Sequence, residues 1–250
     1  AFPATEFIVG LVNWVVTRIM PPYSLPRLDF DKRVPDLART LVAVHSILRD
    51  KEIIDKTVDF LEVRFLANDD PNIMFAILAD LVSSNKERLS GDQELIQHAK
   101  SRVQALNERY CSGAPERFYL MTRKRLWNSS EQCFLSWERK RGKVIELKRL
   151  ILGAEGTSMQ VQVGEMARLR SVKYVLTLDS DTSLPRGSVK QLIGAIAHPL
   201  NRPEFDKNTG LVVKGYSLLQ PRIGITLESA QRTRFSRLFS GSAGLDPYTL

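Results

Sequence analysis

Only two cysteines, Cys111 and Cys133, occur in the 250 residues, so a secreted scaffold stapled by disulfides is excluded and a reducing compartment fits. Histidine is scarce too: His45, His98 and His198 do not pair at ligand spacing, which argues against a zinc site. No apolar run reaches the roughly 20 residues of a spanning helix. The nearest, Phe7 to Val16, is broken by Asn13 and followed by Pro21-Pro22. It lacks the basic start and small-residue cleavage site of a signal peptide, and reads as a short buried or interfacial helix. The motifs G-x-G-x-x-G after a strand, G-x-x-x-x-G-K-[ST] and G-x-S-x-G are all missing. With 14 Gly and 12 Pro, the chain is neither collagenous nor of low complexity.

What is present is an ordinary globular composition, 43% hydrophobic and 26% charged, enough for one large domain or two small ones. The net charge of +8 admits nucleic acid, anionic lipid or a phosphorylated substrate as a partner, or simply a solvated basic surface. The cations concentrate between Arg117 and Arg149, with Arg123-Lys124-Arg125 and Arg139-Lys140-Arg141 plus Lys143. Nucleic-acid binding would want aromatics interleaved with these, and Tyr119, Trp127 and Trp137 are not regularly spaced.

Apolar runs alternate with helical patterns. Strands are expected at Thr40 to Val44, Ile73 to Ala79, Arg117 to Met121, Tyr174 to Leu178 and Leu211 to Leu219. Helices are expected after Asp50 (Ile54, Val58, Leu61, Phe65), around Leu95 to Leu106, from about Glu138 to Leu152, and near Ser188 to Ala197. This order predicts an α/β fold with a mostly parallel sheet and helices on both faces.

Ligands of such sheets bind outside the carboxyl ends of the strands. The fourth strand ends in Asp179-Ser180-Asp181, two carboxylates at i, i+2 that extended backbone would point the same way. A divalent cation relieves their repulsion, and oxygen ligands select Mg²⁺ or Mn²⁺. The alternative is a pair of turn-capping residues before Pro185. Asp80 ends the second strand and would face the same crevice if strands one, two and four are adjacent; a loop-capping role is the alternative. Arg141-Gly142-Lys143 opens a helix, where cations oppose the helix dipole unless a bound anion, such as a diphosphate, benefits from both. Asp69 and Asp70, in a turn with Pro71, read as structural.

The longer stretches Trp137 to Lys143, Leu178 to Gly187, Ala197 to Pro203 and Gly215 to Arg222 resemble the glycosyltransferase domain of cyclic β-1,2-glucan synthases. Leu25 to Asp29, Phe235 to Phe239 and Gly244 to Thr249 fit it as well. The resemblance implies a GT-A-type, Rossmann-like fold, with a leading segment over residues 1–35 and an incomplete donor-binding domain over 36–250. It implies UDP-glucose as donor, Mg²⁺ or Mn²⁺, a growing β-1,2-glucan as acceptor, and no nucleic acid. It also implies a place within a larger synthase at the cytoplasmic face of a bacterial inner membrane.

Carried onto this chain, Asp179 and Asp181 become metal and diphosphate ligands, Asp80 the nucleotide-contacting acid, and Lys143 with Arg141 the diphosphate contacts. Gln220 falls near a sugar. The inverting base and a [QR]-x-x-R-W motif are not found; Arg123 to Trp127 has Leu126 where that motif needs Arg. The segment therefore reads as a donor half. After the first strand the chain has His45-Ser46 in place of the family's Pro-Thr.

Overall fold

Residues 41–44 and 73–79 are wholly apolar, and such runs are stable where both faces of a strand are covered. The computed structural model, which describes residues 2–20, 24–221 and 233, shows that arrangement. In chain order, α1 (Phe2–Ile19) precedes β1 (Thr40–Leu48), α2 (Lys51–Ala67), β2 (Ile73–Leu81), α3 (Asp92–Tyr110) and β3 (Phe118–Arg123). There follow β4 (Leu126–Asn128), β5 (Cys133–Leu135), α4 (Arg141–Ile151), β6 (Met159–Val163), α5 (Met166–Arg170), β7 (Tyr174–Leu178) and α6 (Ser188–Ala197). Last come β8 (Glu204–Phe205) and β9 (Val212–Lys214).

The chain divides into two units, one of residues 28–197, the other of residues 1–27 and 198–250. The first contains a five-stranded sheet in the order β6-β3-β2-β1-β7. Pairing is parallel throughout except for the antiparallel edge strand β6. The fold is thus mixed α/β and Rossmann-like, as expected.

Alternate side chains of each strand serve opposite layers. Val42, Val44, Phe75, Ile77, Phe118 and Leu120 pack with Val58 and Leu61 of α2, Val103 of α3 and Ile193 of α6. Leu41, Ala43, Met74, Ala76, Tyr119 and Met121 pack with Leu147 of α4 and Leu169 of α5. Asp50 starts α2 by accepting the Ile53 amide at 2.8 Å. Asp70 is structural: its carboxylate accepts the amides of Val34 and Asn72, each at 3.0 Å.

Several boundaries differ from expectation. β1 continues four residues past Val44 to Leu48, because its ladder with β2 runs unbroken to Leu48↔Leu81. β3 runs from Phe118 to Arg123, beyond Met121, as Asp80↔Arg123 closes its pairing. α4 begins at Arg141, later than Glu138, whose backbone has a positive φ of 39°. The hairpin β4–β5 and the edge strand β6 were not anticipated.

In the second unit, the strand expected over Leu211 to Leu219 shrinks to Val212–Lys214, all exposed, and pairs only with β8 outside the central sheet. Asn201 ties this unit locally: its side chain donates to Pro26 O at 2.8 Å and its carbonyl accepts Tyr216 N at 2.9 Å. α1 leaves Phe7, Leu11, Trp14 and Ile19 exposed, and no helix among the described residues is long and apolar enough to cross a membrane. The Pro21-Pro22 pair and the blocks Phe235 to Phe239 and Gly244 to Thr249 lie outside the described residues.

Gly194 lets α6 approach the backbone of Leu28 closely: Leu28 N donates to Gly194 O at 3.0 Å, and a Cβ on Gly194 would lie 2.2 Å from Leu28 O. Gly194→Ala is expected to cost about 1–3 kcal/mol of stability, measured by urea unfolding, because the obstacle is backbone rather than a movable side chain.

Candidate functional site

From β1 the sheet grows through β2 and β3 on one side and to β7 on the other, so the connections diverge between β1 and β7. A crevice forms at such a switch point, outside the carboxyl ends of the strands. Here its volume is about 470 Å³. His45 and Ser46 reach it from β1, Arg139, Lys140 and Lys143 from the start of α4, and Asp179, Ser180 and Asp181 from the turn after β7.

The two aspartates meet in the crevice for a reason other than strand alternation. β7 stops at Leu178, and residues 179–182 form a turn closed by Thr182 N donating to Asp179 O at 3.2 Å. Arg64 of α2 pins this turn from beneath. Its guanidinium donates to Thr182 O at 2.9 and 2.7 Å and to Ser180 O at 2.6 Å, while being only 4% exposed. Burial lowers the Arg64 pKa, with Asp181 pulling the other way. One signal for Arg64 was available in the sequence: it falls on the buried stripe of α2 defined by Leu61 and Phe65.

On the opposite wall, Lys140 Nζ lies 2.7 Å from the Asp179 carboxylate. Both side chains are largely exposed. Arg141, expected to face an anion here, instead pairs with Glu138 at 2.5 Å and sits 5.9 Å over the Trp137 ring. It is absent from the crevice lining, and Arg139 and Lys140 take the place assigned to it. The helix begins one residue after Lys140, so helical rotation carries Arg141 away from the two residues that precede it.

Beneath the crevice lies a buried ion cluster. Arg123 grips both oxygens of Asp80, at 2.7 and 2.9 Å, and donates to Trp137 O at 2.7 Å. Lys143 Nζ lies 3.1 Å from Asp80 and donates to Ser46 O at 2.9 Å and Leu78 O at 3.1 Å. Glu146 stands 3.6 Å from Arg123 and completes the charge balance. β1, β2 and β7 are adjacent, the condition under which Asp80 would face the crevice, yet Asp80 does not line it: it is 2% exposed and both its oxygens are taken. Lys143 forms the floor, with its three N–H donors directed at those three oxygens. Burial lowers its pKa, against the opposing pull of Asp80.

Gly142 makes this packing possible, since a Cβ there would sit 2.2 Å from the Trp137 carbonyl that Arg123 holds. His45, at the family departure, lines the crevice with a buried Nδ1 that has no hydrogen-bond partner. Burial first, then the Lys143 ammonium, push its pKa from 6.5 down to about 4. Gln220 is exposed and belongs to the other unit.

The donor set suits a hard cation. Asp179 and Asp181 supply carboxylate oxygens, the ligands a hard cation prefers, while His45 is the one imidazole among the described residues that share the crevice lining. Among the described residues no three His, Cys, Asp or Glu side chains gather as a metal site, so such an ion would complete its shell from water or a bound ligand.

Two outcomes follow. Asp80→Asn strands Arg123 and Lys143 without their counter-charge and is expected to cost about 3–5 kcal/mol in denaturant unfolding. His45 stays neutral in the fold down to about pH 4, whereas the unfolded chain binds that proton from about pH 6.5. Stability should therefore fall as pH drops through this window, and His45→Gln should flatten the slope in thermal unfolding.

No family model matches the chain. A curated protein, the cyclic beta-(1,2)-glucan synthase NdvB of Rhizobium meliloti (strain 1021), is 41% identical over 249 residues, or 99% of this chain. The chain spans 9% of that protein's length. It is therefore a homologue, almost end to end, of one segment of a cyclic β-(1,2)-glucan synthase.

Proposed function

We propose that this chain is the donor-binding part of a glycosyltransferase of cyclic β-1,2-glucan synthesis. UDP-glucose is the donor, Mg²⁺ or Mn²⁺ its companion ion, and a growing β-1,2-glucan the acceptor. The observation that carries the reading is the meeting of Asp179 and Asp181 with Lys140 and Arg139 across one crevice at the β1/β7 switch point. The relationship to the glucan synthase supports it.

In this reading the exposed Lys140–Asp179 pair is an exchangeable one. A diphosphate offers Lys140 and Arg139 oxyanions of their own, which frees Asp179 to act with Asp181 as a cation ligand. The ion, when bound, supplies neutralisation of charge on the departing diphosphate. Arg64 keeps the turn that carries both aspartates fixed to α2, so their positions are set before a ligand arrives. Lys143 and Asp80 act from below, by anchoring α4, rather than by touching the ligand.

Forming a β-linkage from an α-linked donor in one displacement inverts the anomeric carbon and needs a base for the acceptor hydroxyl. We assign no such base among the described residues. The chain is accordingly read as working within a larger membrane-bound synthase, at the cytoplasmic face of a bacterial inner membrane.

The test is calorimetric titration of UDP-glucose with Mn²⁺, repeated with EDTA. Binding should require the metal, vanish in Asp179→Asn and Asp181→Asn, and weaken about tenfold in Lys140→Ala, the scale of one charge-assisted hydrogen bond. Binding that ignores both aspartates and falls steeply with salt would instead mark a general polyanion surface.

A further inference from the structure

The sheet has a second charged end. Arg39, Asn72 and Arg117 are the residues immediately before β1, β2 and β3, and parallel pairing brings them to the amino-terminal edge. There they line a cavity of about 370 Å³ together with Arg33, Arg168, Asp36 and Asp69. Along β1, the six or seven residues from Arg39 to His45 and Ser46 separate this edge from the crevice by roughly 20 Å at the usual strand rise.

Four guanidinium groups face two carboxylates in this lining, and Glu165 acts on Arg168 from outside it, so the cavity wall itself carries an excess of positive charge. Part of the set is already anchored. Arg117 pairs with Asp69 at 2.5 Å. Arg39 donates to Asp36 at 3.2 Å, to Asn72 at 3.1 and 3.2 Å, and to Ser171 at 2.5 Å. The remainder is not. Arg168 gives one N–H to Pro71 O at 2.5 Å, but its Nε is buried with no hydrogen-bond partner. Arg33 is 60% exposed and touches Asp36 only at 3.6 Å. Burial first, then Arg39 and Arg117, lower the Arg168 pKa, against the opposing pull of Tyr119 and Glu165.

The anchored arginines are held in place by fold hydrogen bonds, so the cavity is preorganised without a ligand. Guanidinium forks suit tetrahedral oxyanions, which accept several N–H donors at once. We propose that this cavity binds a phosphate-class dianion, at a site separate from the crevice. The ligand is free phosphate or the phosphate group of a lipid headgroup, which present the same oxygens.

The test titrates inorganic phosphate into the full chain at constant ionic strength, followed by calorimetry and by thermal stability, which rises with occupancy. Saturable one-to-one binding is expected. Arg168→Gln should weaken it at least about tenfold and the surface variant Arg33→Gln about threefold, while Lys140→Ala in the crevice leaves it unchanged. A second arm uses phosphatidylcholine vesicles with and without phosphatidic acid. Vesicle binding that needs phosphatidic acid, weakens in Arg33→Gln and is displaced by free phosphate identifies the headgroup as the source; phosphate binding without it identifies the free ion. The proposal is overturned if neither form binds saturably, if Lys140→Ala abolishes binding, or if folded Arg33→Gln and Arg168→Gln both bind as the parent does.

Discussion

The buried cluster of Asp80, Arg123, Lys143 and Glu146 is the constraint on which the crevice depends. Removing four charged groups from water is costly, and the arrangement persists because each charge has an opposite partner and further hydrogen bonds. Its members come from β2, β3 and α4, and Lys143 also reaches the carbonyl of Ser46 on β1. One cluster thus joins three strand ends to one helix start. That junction decides where Arg139 and Lys140 stand, and with them the cationic wall of the crevice.

The wall opposite is held by a different device. Arg64 crosses from α2 to three backbone carbonyls of the turn after β7, so the aspartates ride on a segment that is fixed although their side chains are exposed. Between the walls the Lys140–Asp179 pair is solvated, and exposed pairs contribute only about 0–1 kcal/mol. The framework is therefore strongly tied where it is buried and weakly tied where a ligand would compete. Such a division suits a binding cleft, since breaking the surface pair costs little while the residues that aim it stay put.

The two ends of the sheet also differ in kind. At the carboxyl edge, cations and carboxylates face each other across open space, which fits an ion together with its anion. At the amino edge, arginines crowd one cavity with too few carboxylates among them. Parallel strands make this separation unavoidable, because residues before and after each strand collect at opposite poles.

Much of this was legible in the residues. The apolar runs Thr40 to Val44 and Ile73 to Ala79 predict buried strands, and the ranges expected for β7 and α6 match the structure to the residue. The alternation of Met159-Gln160-Val161-Gln162-Val163 is the sequence signal of edge strand β6. Leu211 to Leu219 misled in the other direction, since apolar, β-branched composition reports compatibility with a strand and not the presence of a partner. Asp179, Asp181 and the basic helix start stand out by residue type and position; the fold brings both aspartates and Lys143 to one crevice and leaves Arg141 outside it.

What the sequence determined by itself was the class of fold and the kinds of group at each strand end, because burial pattern and backbone chemistry are local. Which of those groups lines the crevice and which is consumed beneath or beside it was decided by tertiary structure. Asp80 and Lys143 disappear into an ion cluster with Arg123, Arg141 turns to Glu138, and Lys140 remains to face Asp179. A charged residue's partner depends on distances across β2, β3 and α4, and those distances exist only once the sheet has assembled.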